Sequence, residues 1–225
     1  SDSGTVTVGS NLAATTDANS GVIDMGTLAV DGTVALTTNG TGNATVVNDA
    51  DFTLADSSVG GKLSATATTG DLLFGGSVIA GMTQSDDGSY YYRVNDERTN
   101  PTSGDIDLEA TGGSILNNSL TIGASVRRNR YRTGKRINRP SHPHRFLNRQ
   151  WLHLEGETIT LTAANKIGTK RNLLKVDAQT LNASTTSSNS GSDIYIRDSS
   201  RTSRGLTLAT IRTENGDIYI DANGW

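Results

Sequence analysis

Gly104-Asp105-Ile106-Asp107-Leu108-Glu109-Ala110 alternates so strictly that it reads as only one thing, a strand with one dry face and one wet face. Period two sends Ile106, Leu108 and Ala110 to one side and Asp105, Asp107 and Glu109 to the other. The same pattern, usually opened by glycine, returns along the chain. It is found in Gly4–Val8, Gly32–Leu36, Gly61–Ala67, Gly156–Ala163, Ser192–Arg197 and Gly216–Ala222, and the commonest core is Ile-x-Ile/Leu-x-Ala. Weaker strands are expected at Leu173–Val176, Thr180–Ala183 and Leu206–Leu208, joined by turn-rich runs such as Thr185–Gly191. No segment carries a convincing helical period.

Segments that recur at roughly 20–30 residues are the signature of a stacked repeat, because one turn cannot bury its own apolar stripe and must lie against the next. Tight Asn-Gly hairpin signals do not link most successive strands, Asn39-Gly40 and Asn215-Gly216 being exceptions, so parallel pairing is expected over an antiparallel sandwich. The expected fold is therefore all-β: a parallel β-helix solenoid. About eight or nine turns would give a rod of about 40 Å at the ordinary interstrand spacing.

Composition agrees with a thin core. Apolar residues make up 34% of the chain, which has 25 Gly and 3 Pro, against about 45–50% apolar in an ordinary domain. With no cysteine, disulfides, thiol catalysis and cysteine-based metal sites are excluded. No stretch approaches the roughly 18 apolar residues of a membrane span, and Ser1–Ser10 has no signal-peptide pattern, so any export signal is expected outside this sequence. The net charge of −3 argues against nucleic acid as the general partner.

The runs Val34–Gly40, Val59–Asp71, Leu161–Thr169 and Gly216–Ile220 resemble the repeat regions of filamentous-haemagglutinin-like exoproteins and other giant bacterial adhesins. That resemblance covers about four-fifths of the chain and rests on composition and degenerate repeats. It implies a right-handed parallel β-helix, secreted or held at the bacterial cell surface. It also implies an outer-membrane transporter as partner of the parent protein, recognising residues that this sequence does not contain.

One stretch departs from the pattern. From Ala110 to Leu154 there is no acidic residue between the ends, while Arg127, Arg128, Arg130, Arg132, Lys135, Arg136, Arg139, Arg145 and Arg149 accumulate with His142, His144 and His153. Alternation stops near Ala124 and resumes at Glu157. The expected organisation is thus solenoid turns over 1–124, a basic irregular insertion over 125–155, and further turns of the same solenoid over 156–225. Three readings of the insertion stay open. It is a loop binding anionic polymers through Arg127, Arg128, Arg130, Arg132, Lys135, Arg136 and Trp151, with Tyr131 and Phe146 beside them; or a solvated insertion of the kind solenoids tolerate; or a stretch read in a shifted frame.

The search for chemistry yields one candidate row, Asp105, Asp107 and Glu109, which could flank a glycosidic bond in a polysaccharide-processing or tailspike-like enzyme. The competing reading is a solvated strand face that discourages aggregation. Asp86-Asp87-Gly88 and Asn95-Asp96-Glu97 lack the spacing of a calcium loop and are expected to be turns. The three histidines lack a neighbouring carboxylate and are not assigned a metal, and Tyr90, Tyr91 and Tyr92 are expected to pack a loop against the rod. No nucleophile elbow, P-loop or dinucleotide fingerprint occurs, and no cofactor is expected. The leading expectation is a non-enzymatic extracellular structural or adhesive segment. It would meet glycans or a neighbouring cell surface, and its Thr-rich strand faces would permit self-association.

Overall fold

The computed structural model describes residues 4–17, 19–81, 104–118, 154–199 and 205–222. Among them every regular element is a β-strand, and the strands belong to one sheet whose pairings between strands are all parallel. Among the described residues the sole antiparallel contact is an isolated bridge between Thr169 and Asn172.

The pairings sort into three ladders. In the first, Ile23, Ala44, Leu63, Ile106, Ile159, Leu181 and Leu208 succeed one another in register. The second begins at Leu12, Val34, Leu54 and Phe74 and continues through Ile115, Ile167, Ile194 and Ile218. In the third, Ser57, Val78, Leu154, Val176 and Asp198 are aligned. Each pass of the chain supplies one level to each ladder, so like stacks on like. Thirty-three hydrophobic residues from these ladders, Phe52 and Phe74 the bulkiest among them, form one buried cluster. Inward positions alternate with half-exposed or exposed ones, as in the strand Leu63–Ala67 and again in Ile106–Ala110.

Where alternation slips, the chain turns a corner. Leu174–Thr185 is one strand of 12 residues, and its burial alternates up to Ala178, pauses over Gln179 and Thr180, and resumes at Leu181 in the opposite phase. The two weaker strands expected at Leu173–Val176 and Thr180–Ala183 are the two arms of this one strand, lying in different ladders. Leu154–Ala163 behaves likewise, slipping at Glu157 and Thr158. Asn39-Gly40, a hairpin signal in sequence, instead forms a corner between parallel levels. Gly40 has φ +62, and Asn39 Nδ2 donates to Thr16 O at 2.9 Å.

A side-chain device marks the strand starts. The Asp or Asn just before a strand accepts, through Oδ1, the backbone N–H of the residue in the same position one level on. Asn11 holds Thr33, 22 residues away; Asn43 holds Lys62 at 19; Asp51 holds Asp71 at 20; Asp56 holds Ser77 at 21; and Asp193 holds Asp217 at 24. These separations measure one pass of the chain, at the short end of the sequence expectation. Two longer steps, Asp71 to Ser114 at 43 and Asp105 to Thr158 at 53, contain residues 82–103 and 119–153. Each connects adjacent levels despite its length.

Candidate functional site

The acidic row lies in the first ladder. Ile106, Leu108 and Ala110 are buried, Asp105 and Glu109 are exposed, and Asp107 is half-buried. The three carboxylates share one wet face as alternation requires. Two of them already have structural work: Asp105 Oδ1 accepts Thr158 N–H at 3.2 Å, the strand-start device described above, and Asp107 Oδ2 pairs with Lys62 Nζ at 3.3 Å. On the levels either side, Asp107 is aligned with Ser64 and Thr160, and Glu109 with Thr66 and Thr162. The row therefore faces hydroxyls across the ladder, and no second carboxylate stands opposite Asp107 or Glu109 in the aligned positions. Two carboxyl groups that flank a glycosidic bond stand about 5–9.5 Å apart; this strand offers its carboxylates along one line.

The second candidate set, Arg127, Arg128, Arg130, Arg132, Lys135, Arg136 and Trp151, lies outside the described residues, as do Tyr131 and Phe146. So do His142, His144, His153, Asp86-Asp87-Gly88, Tyr90–Tyr92 and Asn95-Asp96-Glu97. What the structure does give is where these segments attach. Phe74 is aligned with Asn117 and Val78 with Leu154, so residues 118–153 occupy a connection that Gly75-Gly76-Ser77 makes one level earlier. Likewise Val59 is aligned with Ala80 and Leu63 with Ile106. The connection from Ala80 to Ile106 thus corresponds to Gly60-Gly61-Lys62 in the preceding level. The two segments leave at different corners of neighbouring passes.

A further group of polar and aromatic side chains, which the sequence reading did not single out, faces outward from the second and third ladders. Tyr195 and Tyr219 are aligned on adjacent levels, with ring centroids 6.2 Å apart and planes inclined by 36°. Two residues along, Arg197 Nε pairs with Asp221 Oδ2 at 2.8 Å, and Lys175 is aligned with Arg197 on the level before. Burial, and then the Arg197 charge, hold the Lys175 ammonium below its ordinary pKa. Desolvation first, then the Asp193 and Asp217 carboxylates, raise the Tyr195 phenol. The signal available in sequence was the repeated Asp-Ile-Tyr-Ile at Asp193 and Asp217, which was legible as strand but not as a stacked pair.

Among the described residues no three His, Cys, Asp or Glu side chains are grouped to hold a metal ion, and no helix is long and apolar enough to cross a membrane. Comparison of the chain with protein-family models, with curated proteins and with solved structures returns no match.

Proposed function

We propose that this chain is a rod-forming segment of a parallel β-helix, wound right-handedly, and that its role is structural and adhesive rather than enzymatic. The observation that carries the reading is the in-register parallel stacking of three ladders on a repeat of 19–24 residues. Such an array is stiff because each level is hydrogen-bonded and packed to two others, and it grows by addition of levels without changing cross-section. The right hand follows from the general preference of parallel strand connections. It is also what the resemblance to filamentous-haemagglutinin-like repeats implies, together with a secreted or cell-surface location and an outer-membrane transporter for the parent protein.

In this reading the levels are a mast and the corner segments at 82–103 and 119–153 are its cargo. On the same reading Arg127, Arg128, Arg130, Arg132, Lys135, Arg136 and Trp151 bind anionic glycans of a neighbouring surface. The structural employment of Asp105 and Asp107 supports the non-enzymatic side of the proposal. Two measurements test it together. Solution scattering is expected to give an elongated particle with a constant cross-section, and incubation with neutral and anionic polysaccharides is expected to give no shortened products. Products that vanish when Asp105 and Asp107 become Asn would make the protein a polysaccharide-processing enzyme and overturn the proposal.

A further inference from the structure

On the second ladder one level is longer than its neighbours. The level before it runs Ile115-Leu116-Asn117 and the level after runs Ile194-Tyr195-Ile196, each with one residue between two ladder positions. Ile167 is aligned with Ile194 and Leu174 with Ile196, so the six residues Gly168–Leu173 stand where Tyr195 alone stands one level on. The extra chain leaves the stack intact: Ile167 is aligned with Ile115 as well as Ile194, and both Ile167 and Leu174 are buried. It forms a turn in which Thr169 and Asn172 exchange backbone hydrogen bonds at 3.0 Å, and Asn172 N–H also donates to Thr169 Oγ1 at 3.0 Å. The level before fastens this turn. Asn117 Nδ2 donates to Leu173 O at 2.8 Å and to Asn172 Oδ1 at 3.3 Å, and Asn172 Nδ2 donates back to Asn117 O at 3.4 Å. At the tip stand Lys170 and Arg171, both exposed, and Lys166 is exposed at the root. No acidic residue occurs between Glu157 and Asp177, and among the described residues Lys166, Lys170 and Arg171 make no ion pair. Asp193 lies beside Lys166 by register, but its Oδ1 already accepts Asp217 N–H at 2.9 Å.

We infer that the turn Thr169–Asn172 is a binding point for a sulfated polysaccharide, in which Lys170 and Arg171 meet neighbouring sulfate groups and Lys166 meets a further one along the chain. The levels on either side do without the excursion, so the stack does not require it, and irregularities of this kind serve to re-aim side chains. Arg171 offers a planar fork to two oxygens of one sulfate, and Lys170 offers an ammonium on a flexible stem to another. Because the backbone of the turn is already fixed, binding orders side chains alone, which lowers its entropic cost. Nucleic acid fits less well, since a phosphate backbone binds along an extended basic track, and three cations at one turn do not supply one. The choice of a polysaccharide rests on the adhesive reading above; the turn itself uses none of Arg127–Arg136.

The test is titration calorimetry of the full chain with three probes: a heparin dodecasaccharide, the same oligosaccharide after desulfation, and a single-stranded oligodeoxynucleotide of equal charge. The wild type is expected to bind the sulfated probe, and the desulfated one about tenfold more weakly. The double variant Lys170→Gln, Arg171→Gln should weaken binding of the sulfated probe about tenfold and reduce its dependence on salt, whereas Lys170→Arg should keep it. Lys62→Gln, on the first ladder, should change nothing. A triple variant, Arg127→Gln, Arg128→Gln, Arg130→Gln, tells the turn from the adhesive reading. If the triple variant loses binding and the turn variant does not, the turn site is overturned and the adhesive reading stands. No binding of the sulfated probe by wild type overturns both the turn site and the glycan-binding part of that reading. Equal binding of the desulfated probe, or tighter binding of the oligodeoxynucleotide, overturns the sulfated partner. Melting curves of the variants, expected to match the wild type because the altered side chains of the turn are exposed, separate lost binding from lost fold.

Discussion

Asp105 stands where its side chain bonds to the next level of the ladder. A carboxylate on an exposed strand face has two uses open to it, a reacting group or a hydrogen-bond acceptor, and here it accepts Thr158 N–H from the next level. The bond needs an oxygen at Oδ1 and no charge, which separates the two uses by experiment. Asp105→Asn should leave the unfolding midpoint nearly unchanged, whereas Asp105→Ala should cost about 1 kcal/mol, the net worth of a typical hydrogen bond; equilibrium denaturation of both variants checks this. Asn11 and Asn43 already make the same bond with an amide, so the protein itself uses the two residue types interchangeably at this position. Lys175 supplies a second residue-scale prediction. Its ammonium is held below its ordinary value of 10.5 by burial and by Arg197, so in the window beneath 10.5 the unfolded chain binds more protons than the folded one. Stability contributed by this group must then rise with pH through that window. Lys175→Met should flatten that rise, so that melting midpoints of variant and wild type followed up to pH 10.5 differ in slope; a steeper rise in the variant would reverse the sign and refute the account. Above pH 10, ionisation of Tyr195, whose phenol is raised, works the other way and removes stability.

At the scale of the strand and its corner, glycine decides how closely levels approach. A Cβ on Gly104 would stand 2.5 Å from Gly61 O and 2.3 Å from Gly81 N, both backbone atoms that cannot swing aside. One on Gly26 would meet nothing within 4 Å. Gly104→Ala should therefore destabilise by about 1–3 kcal/mol through overpacking, while Gly26→Ala should be neutral or stabilising by up to about 1 kcal/mol because it restricts the unfolded chain. Thermal melts of the two variants, with opposite signs, check the argument. The same corner geometry explains what could be read in advance. Strands of five residues, such as Leu63–Ala67 and Ile106–Ala110, place three side chains inward and show their period plainly. Phe52–Leu54, Ser57–Val59, Leu72–Phe74 and Val78–Ala80 have three residues and only two inward positions, too few to display alternation, and they went unread. Parallel pairing was legible from the scarcity of hairpin turns. Of the candidate sites, the shared wet face of Asp105, Asp107 and Glu109 was legible from period two, but its partners were not. Lys62 and Thr158 lie 45 and 53 residues from theirs, so only the register brings them together. The stacking of Tyr195 on Tyr219 was hidden for the same reason.

For the whole molecule, the stacking of levels leads to a prediction about the segment 82–103. Each level is held by its neighbours through ladders that are continuous across the attachments of 82–103 and 119–153: Val78 is aligned with Leu154, and Leu63 with Ile106, as closely as any pair joined by a short turn. Removing residues 82–103 would leave Ala80-Gly81-Gly104-Asp105-Ile106, which repeats the pattern of Val59-Gly60-Gly61-Lys62-Leu63 one level before and has glycine at the crowded corner in both cases. Gly81 and Gly104 are already neighbours in space, since a Cβ on Gly104 would touch Gly81 N. A chain lacking 82–103 should thus fold with the same strand content. Its midpoint should be equal or higher, because the entropy of closing a loop grows by about 0.6 kcal/mol with each doubling of its length. Circular dichroism and a denaturant titration of the shortened chain give the answer. If the midpoint falls by several kcal/mol equivalents, the segment is holding the levels together, and the division of labour between a repetitive mast and the segments it carries fails with it. If it does not fall, the length of those segments has been set by something other than stability, and the levels are free to carry different cargo at the same corners.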